Sequence, residues 1–117
     1  MIGDYPTVAV LDENKKTVGY SFIRPYHPAP AFRRTGEITY FVAPERTSKG
    51  IGTSLQEHMG HGAREMEIDT LLAFVVENNE PSICFHKQNG FENCGRLVRI
   101  GRKSNQDLTI LCFQKFI

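Results

Sequence analysis

Apolar and polar positions along this chain fall into eight segments with two different periods. Thr7-Val8-Ala9-Val10-Leu11 and Thr17-Val18-Gly19-Tyr20-Ser21-Phe22-Ile23 are runs rich in β-branched and aromatic residues, joined by the polar link Asp12-Glu13-Asn14-Lys15-Lys16. That pattern predicts an antiparallel hairpin. The Pro-rich stretch Pro25-Tyr26-His27-Pro28-Ala29-Pro30 cannot continue a strand and predicts a loop. It ends in Phe32-Arg33-Arg34-Thr35 and runs into a third β-rich segment from Glu37 to Val42, completing a three-stranded meander. From Gly50 the period changes. Ile51, Leu55, Met59, Ala63 and Met66 recur at helical spacing and define one apolar stripe. Gly60 and Gly62 each weaken such a helix by roughly 1 kcal/mol relative to Ala, so packing on a sheet has to hold it.

Thr70-Leu71-Leu72-Ala73-Phe74-Val75-Val76 is apolar throughout and reads as a strand buried on both faces. Asn79 is a natural N-cap and Pro81 suits the first turn of a helix running to about Gln88, with Asn89-Gly90 as its left-handed stop. Phe91 to Ile100 predicts a strand, Gly101 to Asp107 a turn, and Leu108 to Phe116 a last strand. The order is β-β-β-α-β-α-β-β, an α+β fold with a mixed, mostly antiparallel central sheet flanked by helices.

At 117 residues this reads as one domain, 1–117, with a modest core. Fourteen basic and thirteen acidic side chains leave a net charge of +1, which excludes a bulk electrostatic case for nucleic acid. No apolar run is long enough to span a bilayer and no signal-peptide n- and h-region is read in these residues, so no membrane partner is expected. Cys84, Cys94 and Cys112 are odd in number and fit no zinc spacing, which points to a reducing, cytoplasmic compartment. His58 and His61 share a helix face with no third ligand in view, so no metal is expected.

The junction between the third strand and the first helix carries the chemistry. A strand that feeds a helix through Lys49-Gly50-Ile51-Gly52-Thr53 leaves several backbone N–H groups unpaired and pointing the same way, at the positive end of the helix dipole. Such a turn suits phosphate, and Arg46 and Lys49 add positive charge beside it. The same Gly-x-Gly spacing also opens helices that bind nothing, so the turn alone leaves both readings open. It is not a P-loop, because the Gly-x-x-x-x-Gly-Lys-Ser/Thr order is absent, nor a dinucleotide fingerprint, because a third glycine is missing and no acidic residue follows a second strand in the right way.

Four segments together resemble the GNAT superfamily of N-acetyltransferases, in its phosphinothricin acetyltransferase-like branch. They are Ala31-Phe32-Arg33-Arg34-Thr35-Gly36-Glu37; Val42-Ala43-Pro44-Glu45 with Lys49-Gly50-Ile51-Gly52; Asn79 through Ser82 and His86 to Gly90-Phe91; and Gly95 to Gly101 with Lys103 and Asp107. Relative to that family the chain begins at the hairpin, without the usual first strand and two helices. Thr47 stands where the family has Gln or Arg. The resemblance implies an enzyme that transfers acetyl from acetyl-CoA to the amino group of a small amino-acid-like acceptor, of the phosphinothricin or methionine sulfoximine type. A CoA-binding or dimerisation module without catalysis is the alternative. It implies acetyl-CoA as acetyl donor, held by Phe41, Val42, Ala43, Thr47, Ser48, Lys49, Gly50, Ile51, Gly52, Thr53, Asn79 and Ser82, and a homodimer.

Acetyl transfer requires an unprotonated amine, a polarised carbonyl and a proton for the leaving thiolate. The resemblance points to Glu37 as base, against a cross-strand surface carboxylate. It points to His86 near the CoA sulfur, against a histidine held at a helix C-terminus by the dipole. Val42 marks where a free strand N–H would polarise the carbonyl. Arg33 and Arg34 are the candidates to hold an acceptor carboxylate bidentately, against solvated loop charges for at least one of them, and Thr35 is grouped with Arg33 on the acceptor side.

Overall fold

A computed structural model describes residues 5–43 and 50–117. The strands and helices follow in the expected order. β1 (Thr7–Leu11), β2 (Thr17–Pro25) and β3 (Thr35–Val42) form the meander, and α1 (Ile51–Glu65) leads to β4 (Thr70–Val76). Then come α2 (Glu80–Gln88), β5 (Glu92–Lys103) and β6 (Gln106–Phe116), giving one six-stranded sheet ordered β1-β2-β3-β4-β6-β5. Every neighbouring pair is antiparallel except β3 and β4. The turn from β1 to β2 is tied by Asp12, whose carboxylate accepts from the amides of Asn14 and Lys16 at 2.8 and 3.0 Å. The Pro-rich stretch was expected to be loop throughout, but Pro25 still pairs with Gly36 at the end of β2; beyond it the connection leaves the sheet and holds a 3₁₀ turn, Pro30–Phe32.

Both helices pack on the same face of the sheet. Met59 and Ala63 of α1 and Ile83 of α2 join Ile23, Ile38, Leu71, Ala73, Val75, Phe91 and Phe113 in one buried cluster. This corrects the expectation for β4, which is buried on one face only. Leu71, Ala73 and Val75 point under the helices, whereas Phe74 on the other face is 39% exposed. An unbroken apolar run cannot tell a doubly covered strand from one whose second face joins an open aromatic surface. Here that surface includes Tyr20 stacked on Phe41, with ring centroids 5.2 Å apart.

The last hairpin also departs from expectation. Its turn is two residues long, Ser104 and Asn105 with φ of 52° and 61°, because the polar residues around them are exposed strand ends. Two consecutive left-handed residues match the natural twist of paired strands. Arg102 and Asp107 face each other across the pair and form an ion pair at 3.0 Å.

The feature that matters for function is where the sheet comes apart. β3 pairs with β4 only through Thr35, Gly36 and Glu37 against Thr70, Leu71 and Leu72, although both strands continue. Beyond that point they diverge. The Ala43 amide donates to the Val18 carbonyl of β2 at 2.8 Å. Strand alternation therefore turns the N–H groups of Val42 and Tyr40 toward the β4 side, where the ladder has ended.

Candidate active site

A cleft of about 720 Å³ opens between the free end of β3, the start of α1 and the length of α2. Its lining includes Tyr40, Phe41 and Val42 from β3; Gly50, Gly52 and Thr53 from the head of α1; and Asn79, Ser82, Phe85 and His86 from α2. Two glycines shape the α1 side. Gly50 caps the helix at φ 80°, in the left-handed region, with no side-chain cap on the first turn and open space where a Cβ would stand. Among the described residues no side chain caps that turn, and the dipole at such a helix head favours a negative group. Gly52 lies against α2 so closely that a Cβ would meet Phe85 Cε1 at 2.5 Å. Only a glycine lets the two helices approach and bound the cleft from both sides.

On α2, the Asn79 side chain accepts from the Ser82 amide at 3.3 Å, so this residue caps the helix while lining the cleft. His86 is only 4% exposed. Its Nδ1 lies 2.7 Å from the Ser82 carbonyl, which can only accept, so Nδ1 carries a hydrogen and donates it. The ring stacks on Phe113 and meets Phe91 and Tyr40 edge-on. Burial pushes its pKa below the ordinary value, partly offset by the bond to Ser82, and leaves a neutral imidazole with a bare Nε2.

Tyr40 sits beside it, with ring centroids 5.1 Å from Phe85 and 6.5 Å from Phe91. Its hydroxyl is closed to solvent and has no hydrogen-bond partner among the described residues. Burial pushes the phenol well above its usual range, so it stays protonated.

Of the residues picked from the sequence, Phe41, Val42, Gly50, Gly52, Thr53, Asn79, Ser82 and His86 come together around this cleft. Ala43 and Ile51 do not line it. Ala43 is buried, and Ile51 turns toward β2, where its Cγ2 lies 2.9 Å from a Cβ built on Gly19. Thr47, Ser48 and Lys49, together with Arg46, lie outside the described residues. Glu37 stands at the last paired position before the strands part, and its side chain faces the open side of the sheet, away from His86. There it accepts a hydrogen bond from Arg24 Nη2 at 3.0 Å, the cross-strand pairing weighed for it. Arg33 and Thr35 lie at the opposite end of β3 from the cleft, about 17 Å along the strand from Tyr40 for the latter. The neighbouring Arg34 is bound to Asp69 at 2.8 Å.

The structure adds Tyr40, Phe85 and Asn89 to the cleft. Their signals were present: Tyr40 alternates with Ile38 on the core side, and Asn79, Ser82, Phe85, His86 and Asn89 follow at helical spacing. Among the described residues no group of three or more His, Cys, Asp or Glu is placed to hold a metal, and no helix is long and apolar enough to cross a membrane.

This geometry can hold an extended anionic ligand. Phosphates would sit at the head of α1, and the reactive end would lie beside the free amides of β3. An acetyl-CoA molecule fits that description. When bound, it supplies the activated acetyl group.

Known proteins resemble this chain in sequence and in fold. Over 109 residues the chain is 28% identical to the L-methionine sulfoximine/L-methionine sulfone acetyltransferase of Pseudomonas aeruginosa, covering 92% of this chain and 63% of that protein. It is 30% identical over 96 residues to the phosphinothricin N-acetyltransferase of Streptomyces coelicolor, covering 82% of this chain and 56% of that one. The chain thus spans less than two thirds of the length of these relatives. Among solved structures, a ribosomal-protein-alanine N-acetyltransferase from Brucella melitensis superimposes with a TM-score of 0.88 at 33% identity, over 97% of this chain and 69% of that one. A phosphinothricin acetyltransferase from Sinorhizobium meliloti, crystallised with acetyl-CoA, gives 0.86 at 26% identity, over 97% and 61%. Residues 2–91 match the acetyltransferase (GNAT) family, which includes the parted strands, the head of α1 and the whole of α2. With that match over most of its length, the chain belongs to the GNAT acetyltransferase family.

Proposed function

We propose that this domain transfers an acetyl group from acetyl-CoA to the amino group of a small, amino-acid-like acceptor. One observation carries the reading. The sheet parts between β3 and β4 beside a cleft lined by the heads of two helices, so a thioester laid along β3 meets unpaired amides. The phosphinothricin and methionine sulfoximine acetyltransferases among its relatives indicate the class of acceptor.

In this reading the Val42 N–H donates to the thioester carbonyl and stabilises the oxyanion of the tetrahedral intermediate. Glu37 marks the junction of the two faces, about 17 Å along β3 from Val42, and from the open side it takes the proton of the incoming ammonium through a chain of waters. Arg24 holds that carboxylate in place. His86, uncharged, acts through its bare Nε2 as an acceptor in the cleft wall and relays protons through water.

A second reading, CoA binding without turnover, draws on Glu37 and His86 lying on opposite faces of the sheet. One experiment separates the two. Calorimetric titration with CoA is run beside a thiol-release assay using acetyl-CoA and a panel of amino acids that includes phosphinothricin and methionine sulfoximine. Saturable binding with thiol release on any acceptor supports acetyl transfer. Binding with no release on the whole panel supports the second reading, and absence of binding overturns both.

A further inference from the structure

We propose that Cys94 and Cys112 form a modification site, a pair of thiols on neighbouring strands that closes to a disulfide by exchange with a small-molecule disulfide. The site lies on the face of the sheet opposite the helices, and the inference does not depend on the acetyl-transfer reading above.

The first argument is register. Asn93 of β5 pairs with Phe113 of β6 and Gly95 pairs with Cys112, so Cys94 is the extra residue of a bulge between those two pairs. Phe113 is packed in the core under the helices, so Cys112, one residue before it, faces the open side. Cys94, one residue after the partner of Phe113, faces that side as well. Antiparallel strands hold opposed Cα atoms about 4.5–5.5 Å apart, inside the span of about 4.4–6.8 Å that a disulfide bridges.

The second argument is the clear approach between the two sulfurs. Gly95 carries no side chain, and the point where its Cβ would stand is 3.9 Å from Cys112 Sγ. That sulfur therefore lies over the bulge, beside the residue that follows Cys94. The third argument is the contrast between the two thiols. Cys94 is exposed and Cys112 is half-buried. Burial, and after it the neighbouring Cys94, push the Cys112 thiol above its ordinary value. Cys94 is thus the thiol that an incoming reagent meets, and Cys112 the one that completes the bridge. Cys84 lies on α2, which covers the other face of the sheet, and does not compete.

The exchange balances. The Cys94 thiolate attacks one sulfur of the reagent, forms a mixed disulfide and expels one thiolate. Cys112 then gives its proton to solvent and attacks Cys94 Sγ, and the second half of the reagent leaves. The two cysteines together lose two electrons, the reagent is reduced to two thiols, and the protons shed by the cysteines end on them.

The test treats the folded, fully reduced chain with oxidised glutathione under native conditions. Wild type should lose two of its three thiols and become lighter by two hydrogens, with no glutathione retained on Cys94 or Cys112. Peptide mapping without reductant should then recover Cys94 joined to Cys112. Cys84→Ser should close the same bridge, whereas Cys112→Ser should stop at a glutathione adduct on Cys94. If wild type keeps all its thiols, carries only glutathione adducts, or yields a link that includes Cys84, the assignment of this pair is overturned.

Discussion

Replacing Gly52 with valine tests the helix contact that bounds the cleft. A Cβ there stands 2.5 Å from Phe85 Cε1 and 3.2 and 3.3 Å from two further ring atoms. Ordinary contact needs about 3.5 Å or more, so Phe85 or the head of α1 must shift by roughly 1 Å. Overpacking of this kind costs about 1–3 kcal/mol, of which the better helix propensity of valine returns only a few tenths. For a chain of 117 residues the unfolding entropy is about 0.25 kcal/mol per degree, so Tm falls by about 3–11 °C. The same shift moves Phe85, a cleft residue in edge contact with Tyr40, and displaces the wall that a pantetheine arm would follow. CoA affinity should therefore drop at least about tenfold. Differential scanning fluorimetry with and without CoA reads both effects. CoA at 100 times its Kd stabilises wild type by about 2.7 kcal/mol, or roughly 11 °C, and a tenfold weaker variant gains only about half of that. If Gly52→Val keeps the wild-type Tm and the full CoA-induced shift, the contact does not constrain the cleft and the argument fails.

Protonation of His86 should couple stability to pH. Its folded-state pKa lies below the unfolded value of about 6.5, so the folded state excludes a proton that the unfolded chain accepts. That contribution is complete above the unfolded value and is lost as pH falls toward the folded one, at up to about 1.4 kcal/mol per pH unit. Thermal melts between neutral pH and pH about 5 should show a steeper loss for wild type than for His86→Phe, and parallel curves would refute the coupling. Glu37→Ala should lower kcat by about 10²–10⁴-fold, the usual worth of a general base. Its solvent-facing pair with Arg24 contributes no more than about 1 kcal/mol, so Tm should move by about 4 °C or less. An unchanged rate with CoA binding intact would remove Glu37 from the mechanism.

Local periodicity and end signals were sufficient for the element order and for most of one wall of the site. The stripe through Leu55, Met59 and Ala63 specifies α1, and Asn79 and Gly90 bound α2 through interactions spanning only a few residues. Gly50, Gly52, Asn79 and Ser82 were legible because a helix head exposes its amides wherever it forms. Tertiary structure decided what depends on pairing between distant segments. Where β3 leaves β4 follows from competition between a three-pair parallel ladder and the longer antiparallel ladders on either side. That departure places the free amides of β3 beside α2. Which face the helices cover left Phe74 exposed, turned Glu37 toward Arg24, and closed Tyr40 and His86 into an aromatic wall. A single strand carries no record of which neighbour will end its ladder, nor of which side a helix will cover. Those are properties of the assembled sheet.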